Sequence, residues 1–339
     1  MKVLITGGAG FIGANAASRY LSRGAEVVIV DDLSRPGAAK NLAWLREQGN
    51  PSLHRIDIRD AGALSAVVAE HRDTDLILHL AGQVAVTTSV ADPRMDFEVN
   101  ALGTFNLLEA ARASGIRAPI IFSSTNKVYG GMEDVGVVVR DGRYAYDGLR
   151  NGVGEDRGLD FHSPYGCSKG AADQYVRDYH RIYGLNTVVF RQSCIYGYRQ
   201  FGMEDQGWIA WFTIAAQLGR PITVFGDGMQ VRDVLFVDDL VDAFELAAQG
   251  IDRTAGNVYN IGGGPANVLS LVELLAHIEK GLGAPIPVAR DDWRPGDQRV
   301  YISDIRLAAE HFGWAPKVSK AQGLTLLYDW VTANLDLFR

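Results

Sequence analysis

The chain has 339 residues, 47% of them hydrophobic and 22% charged, with a formal net charge of −7. That length and apolar content suit one large domain or two intimate ones around an ample core, and the negative balance leaves no basic footprint for nucleic acid and disfavours an anionic membrane surface. Cys167 and Cys194 supply no disulfide framework, and no apolar run is long enough to span a bilayer. Met1-Lys2 leads directly into Val3-Leu4-Ile5 without signal-peptide anatomy, so a cytoplasmic protein is expected.

In chain order, short apolar runs alternate with amphipathic stretches. Strands are predicted over 3–6, 26–31, 53–57, 76–81, 120–124 and 186–191, and helices near 13–22, 61–71, 99–114 and 168–183. Apolar strands separated by helices predict an α/β fold: a doubly wound parallel sheet covered on both faces, whose ligand crevice lies beyond the strands' carboxyl ends.

Between the first strand and first helix stands Gly7-Gly8-Ala9-Gly10-Phe11-Ile12-Gly13. Glycines at 7, 10 and 13 permit a tight turn, close approach of a pyrophosphate and close helix–strand packing, and the helix N-terminus offers free amides to the phosphates. Asp31-Asp32 closes the second strand, where a carboxylate grips ribose hydroxyls and repels a 2′-phosphate. NAD is therefore expected rather than NADP, with the nearby Arg35 pulling the other way. Asp57-Ile58 is placed at the end of the third strand, facing an adenine ring. His79-Leu80-Ala81-Gly82 ends the fourth, its small residues letting a cofactor lie against the backbone, with His79 itself a core imidazole.

The fifth strand ends in Ser123-Ser124-Thr125, hydroxyls that reach the crevice. The 130–161 interval, rich in Gly, Asp and Arg, is expected to be a loop or lid. Ser163-Pro164 then starts a helix on which Tyr165 and Lys169, four residues apart, share a face. A lysine ammonium beside a phenol is expected to lower its pKa, so that Tyr165 exchanges a proton with a substrate hydroxyl oriented by Thr125.

These motifs, with Asn100 on the helix after Gly82, resemble the extended short-chain dehydrogenase/reductase family over essentially the full length. Within it the strings Ser-Thr-Asn-Lys-Val-Tyr-Gly (124–130), Leu-Asp-Phe-His-Ser-Pro-Tyr-Gly-Cys-Ser-Lys-Gly (159–170) and Arg-Gln-Ser-Cys-Ile-Tyr-Gly (191–197) are similar to nucleotide-sugar epimerases. The resemblance implies a Rossmann domain over 1–191, with elements from about 233–261 returning to it, and a smaller interleaved substrate domain over 192–339. It implies further cofactor contacts from Asn100 and Ser123, a homo-oligomer, and no metal. The implied reaction is redox-neutral: retained NAD, Thr125, Tyr165 and Lys169 epimerise a CDP-sugar at C2 through a 2-keto intermediate, CDP-paratose becoming CDP-tyvelose for lipopolysaccharide O-antigen.

On the substrate side, the resemblance implies that Arg232 and Arg294 clamp the diphosphate as bidentate forks, with surface ion pairing the alternative for each. Cys194 stands beside the diphosphate, where many relatives carry Asn. Thr87, Thr88 and Tyr301 are candidates for the sugar pocket, and Phe225 for base contact or plain core packing. Tyr198 replaces a Pro usual in the wider family, which puts the base assignment in doubt. Sugar 4,6-dehydratases need an acidic pair directly after the Thr, and Asn126-Lys127 supplies none. A UDP-sugar 4-epimerase remains an alternative, as does a non-catalytic NAD-binding regulator.

Overall fold

The computed structural model describes residues 1–294 and 297–339. Apolar runs with little polar surface to turn toward water form seven strands: β1 (Lys2–Thr6), β2 (Glu26–Val30), β3 (Ser52–His54), β4 (Leu76–His79), β5 (Ile120–Thr125), β6 (Thr187–Gln192) and β7 (Val258–Ile261). They make one sheet in the order β7-β6-β5-β4-β1-β2-β3, every neighbouring pair parallel. Successive side chains take opposite faces. Val3, Ile5 and Ile29 pack with helices α1 (Phe11–Ser22), α2 (Ala38–Gln48) and α6 (Val237–Gln249). Leu4, Val28, Ile77 and Phe122 pack with α3 (Ala61–Glu70), α4 (Gly103–Ala113) and α5 (Ser163–Tyr183). Burial on this scale contributes roughly 1.5–3 kcal/mol per large apolar side chain.

After β3 the chain crosses back to lay β4 on the other side of β1. Ligands bind beyond the strand ends at such a reversal. Here the two strand ends nearly touch: a Cβ added at Gly7, where φ is +69°, would lie 2.7 Å from the Ala81 amide nitrogen.

Several expected elements differ. The third strand pairs only over Ser52–His54, because as an edge strand it has β2 alone as partner, so Asp57 and Ile58 lie in the loop before α3 rather than at a strand end. Helix α2 is unforeseen; few of its residues are buried, among them Leu42 and Leu45, too sparse a stripe to read. The helix expected over 99–114 is preceded by Pro93–Phe97 and interrupted by a π-helical turn, Glu98–Leu102.

The 130–161 segment is not a free lid. It forms an antiparallel hairpin, Val137–Arg140 with Arg143–Tyr146. The Tyr144 N–H donates to the Met229 carbonyl at 3.0 Å, and the Glu155 carboxylate accepts the Asn260 N–H at 2.7 Å. Tyr129, Tyr146, Val153, Val231, Val300 and Tyr301 form a small core beneath it. In the second half, Val231–Phe236 pairs with Cys194–Tyr196, Val268–Ser270 and Val300–Tyr301 in a separate four-stranded sheet. Of the stretch expected to return to the main sheet, β7 joins it and α6 covers it, while Val231–Phe236 stays with the second sheet. Among the described residues no helix is long and apolar enough to cross a membrane.

Candidate active site

The glycine loop is held by its own geometry and by Asp31. A Cβ at Gly13 would collide with the Gly7 carbonyl oxygen, so this contact between turn and helix requires glycine. The Asp31 carboxylate, 7% exposed, accepts the N–H groups of Ala9 at 3.0 Å and Leu33 at 2.8 Å. Burial raises its pKa, and those backbone donors oppose the rise. Each oxygen keeps a free lone pair for a ribose hydroxyl.

A cavity of about 440 Å³ runs over this loop. Gly7, Gly10, Phe11, Ile12 and Gly13 line it, with Asp31, Asp32, Asp57, Ile58, Leu80, Ala81 and Gly82. Asp57 is gripped by the Arg59 guanidinium at 2.6–3.1 Å, which lowers its pKa. Arg35 also lines the cavity, and its guanidinium bonds the Gln206 amide oxygen. Glycine cradle, free helix amides and a buried carboxylate at the end of β2 fit a dinucleotide.

Tyr165, Lys169 and Thr125 are all buried, and none of the three is among the residues that line the cavity. The Ser163 hydroxyl accepts the Gly166 N–H at 3.2 Å, as a capping serine does, and Ser89 Oγ accepts the Tyr165 N–H at 3.1 Å. Burial pushes the Tyr165 phenol up to about 12; the Asp96 carboxylate adds to the rise, while a hydrogen bond with Thr125 and the Arg35 charge oppose it. The expected lowering by Lys169 is not found. Burial drives the Lys169 ammonium itself down to about 8, and its Nζ stands 4.4 Å over the Phe122 ring. A Cβ on Gly82, which lines the cavity, would lie 3.4 Å from that Nζ, so Lys169 stands behind the cavity wall.

Two buried networks that the motifs did not reveal hold these groups. Asn100, on the π turn, donates to Asp96 Oδ1 and Ser168 Oγ at 3.1 Å each and accepts the Gln83 N–H at 2.9 Å. These bonds let Asn100 tie the 82–83 loop to α5. Below β5, Ser124 Oγ donates to Asp173 at 2.8 Å, and Asp173 takes a two-pronged ion pair from Arg191 at 2.9 Å. Arg191 continues to the Tyr129 hydroxyl at 3.0 Å, and that hydroxyl donates to Asn260 at 2.8 Å. Ser123 donates to Gln192 at 3.0 Å. His79 is a core imidazole between Thr6 and Thr104, at 2.7 and 2.9 Å, with its pKa driven to about 3 by burial.

The substrate-side candidates divide. Arg232 is buried in an ion pair with Asp297 at 2.6 Å. Arg294 stacks 3.9 Å over Phe225 and approaches Asp205 at 3.4 Å; the Pro295-Gly296 part of its motif lies outside the described residues. Cys194 is half-buried beside Arg232, and burial raises its thiol, which suits packing better than nucleophilic attack. Thr87 is exposed, whereas Thr88 lines the cavity. Tyr301 is a correction: it is fully buried against Tyr129, with its hydroxyl unpartnered, and does not open on the cavity. Tyr198 likewise packs on Phe236, ring centroids 5.0 Å apart, and does not line the cofactor cavity.

Comparison with known proteins shows the family. The chain is 46% identical to the CDP-paratose 2-epimerase of Salmonella typhi, across 98% of this chain and 100% of that protein. Its fold superposes with a TM-score of 0.84 on the UDP-glucose 4-epimerase of Thermotoga maritima, solved with UDP-glucose, at 32% identity over 99% and 100% of the two chains. The Thermus thermophilus UDP-glucose 4-epimerase, solved with NAD, gives a TM-score of 0.81 at 32% identity over 98% and 100%. Residues 3–262, which contain the glycine loop, Asp31 and the Thr/Tyr/Lys trio, match one family throughout: the chain belongs to the NAD dependent epimerase/dehydratase family, an enzyme family whose cofactor is NAD.

Proposed function

We propose that this enzyme epimerises a nucleotide sugar at C2 through a transient 2-keto intermediate, converting CDP-paratose to CDP-tyvelose. What carries the reading is the full-length 46% identity to a CDP-paratose 2-epimerase, together with a Thr125–Tyr165 pair followed by Asn126-Lys127 rather than by acids. Gly7, Gly10, Gly13 and Asp31 would hold the cofactor, with Lys169 at its ribose. The cofactor supplies, when bound, a two-electron acceptor for the C2 hydrogen and a positive charge that favours the Tyr165 phenolate. Thr125 orients the substrate hydroxyl. Tyr165 Oη takes its proton and later returns it. The burial of all three residues keeps water from the ketone between the two halves of the cycle.

The UDP-glucose 4-epimerase neighbours support a second reading, C4 epimerisation of a UDP-sugar on the same trio. Incubation with CDP-paratose, CDP-glucose and UDP-glucose in deuterated water, followed by NMR of the products, separates them. Inversion at C2 with little solvent deuterium on carbon is expected; inversion at C4, or an unchanged C2, sinks the assignment. A non-catalytic NAD-binding role would require no turnover in any arm. The enzyme would act in the cytoplasm as a homo-oligomer, supplying an activated sugar for O-antigen; sedimentation of the holoenzyme tests its assembly.

A further inference from the structure

Between the strand Cys194–Tyr196 and the helix Trp208–Gln217 the chain crosses from the second sheet to the cofactor cavity. Arg199, Gln200, Phe201, Gly202, Met203 and Gln206 line that cavity together with the glycine loop. Two buried asparagines tie the crossing to the loop. Asn15 Nδ2, on α1, donates to the Phe11 and Tyr198 carbonyls at 2.9 Å each. Asn41 Nδ2, on α2, donates to the Ala9 carbonyl at 3.1 Å and to the Arg199 carbonyl at 3.3 Å. Each amide thus holds one carbonyl of the 9–11 stretch and one of 198–199. Arg199 adopts a φ of +62°, left-handed backbone that a non-glycine residue rarely takes, and its Cζ stands 4.2 Å from the centroid of the Trp44 ring on α2.

The rest of the segment is pinned as well. The Phe201 ring sits against Gly37, where any side chain would collide with it. Met203 and Gln206 exchange two backbone hydrogen bonds of 2.9 Å, which close a tight turn. The Arg35 guanidinium donates to the Gln206 side-chain oxygen. Both residues line the cavity, so this bond joins a wall built from the β2–α2 connection to one built from the crossing. Arg294, on the substrate side, donates to the Glu204 carbonyl at 3.3 Å and approaches Asp205 at 3.4 Å. A redox-neutral cycle requires the reduced dinucleotide to stay between its two hydride steps, because its loss strands a ketone. We propose that residues 198–206 are a strap that retains the dinucleotide, with the Arg35–Gln206 bond as its latch. Entry and exit then both require that bond to open and Phe201 to lift from Gly37. The inference rests on retained NAD and holds whichever carbon of the sugar reacts.

The test loads the full-length protein with NADH and follows its escape with lactate dehydrogenase and excess pyruvate, which oxidise each molecule released. Gln206→Ala should release NADH about tenfold faster than wild type, the worth of one hydrogen bond to a charged group, and Phe201→Ala by a similar factor. A wild-type rate in either variant overturns the proposal. Gln206→Glu, which offers Arg35 a carboxylate, should release no faster than wild type; a rate matching that of the alanine variant refutes the latch. A strap hinders entry as well as exit, so both alanine variants should also bind NADH faster in stopped flow. Faster release with unchanged entry would mark a lost cofactor contact and overturn the strap. A measurement on wild type needs no variant to fold: amide hydrogen exchange over 198–206 should slow when NAD binds, and equal exchange with and without NAD refutes the closure. None of these readings uses a sugar, so they stand or fall apart from the C2 assignment, which the NMR product decides.

Discussion

A phenol sealed among apolar walls resists ionisation, and Tyr165 is held near 12 for that reason. Its competence as a base depends on positive charge arriving beside it. Tyr165→Phe should lower turnover by at least about 10²-fold while NAD content and thermal unfolding stay as in wild type; full activity in that variant would refute the proton-transfer role. Lys169 carries a complementary cost. Its folded pKa, about 8, lies below the 10.5 of an unperturbed lysine. Below pH 8 both folded and unfolded chains are protonated and the burial cost is present in full; between 8 and 10.5 the folded chain loses its proton first, so stability rises with pH. Cofactor-free Lys169→Met should therefore be more stable than wild type at pH 7, by about 1–3 kcal/mol in urea unfolding, and that lead should shrink toward pH 10. A lead that grows with pH would contradict the assigned direction. The spacing of Tyr165 and Lys169 was legible because it is local; the direction of each shift was not, because Asp96, Phe122 and Arg35 come from other elements.

At the scale of elements, the π turn Glu98–Leu102 points Asn100 inward, and that one amide ties the 82–83 loop to α5. Asn100→Ala leaves the buried Asp96 and Ser168 short of a partner and should cost about 2–4 kcal/mol in chemical denaturation, with a fall in kcat larger than any change in KM for substrate. The glycine turn is less forgiving. In Gly13→Ala the new methyl meets the Gly7 carbonyl of the main chain, so protein purified from cells should contain little nucleotide when denatured and chromatographed; a full complement of NAD would show that the turn can yield. The turn was readable from three glycine positions. The π turn was not, because a helix's hydrophobic period does not register one inserted backbone step.

Across the whole molecule, the Asp173–Arg191 pair joins α5 to β6, and through Ser124 and Tyr129 it reaches β5 and the segment leading to the hairpin. Both side chains are at least 97% buried, at 0% and 3% exposure. Removing one partner strands the other's charge, so Arg191→Met should destabilise by about 3–5 kcal/mol, read as a lowered denaturation midpoint. The paired change Asp173→Leu with Arg191→Met should cost less than the sum of the singles. Additive losses would mean that the two charges act independently. The pair was invisible in the motifs because its members are 18 residues apart on different elements: Arg191 opens a recognisable string, but nothing in that string points to Asp173.

The sequence by itself determined the parallel sheet, the dinucleotide loop and the Thr125, Tyr165, Lys169 set, since each is written in short-range terms: apolar runs, glycine spacing, and an i, i+4 pair on one helix face. The tertiary structure alone decided that 130–161 docks as a hairpin, that Tyr301 is fully buried against Tyr129, that Asn100 ties the 82–83 loop to α5, and that the Arg35 guanidinium bonds Gln206. Those outcomes depend on burial and on charges brought together from distant parts of the chain, and neither quantity exists until the chain has folded.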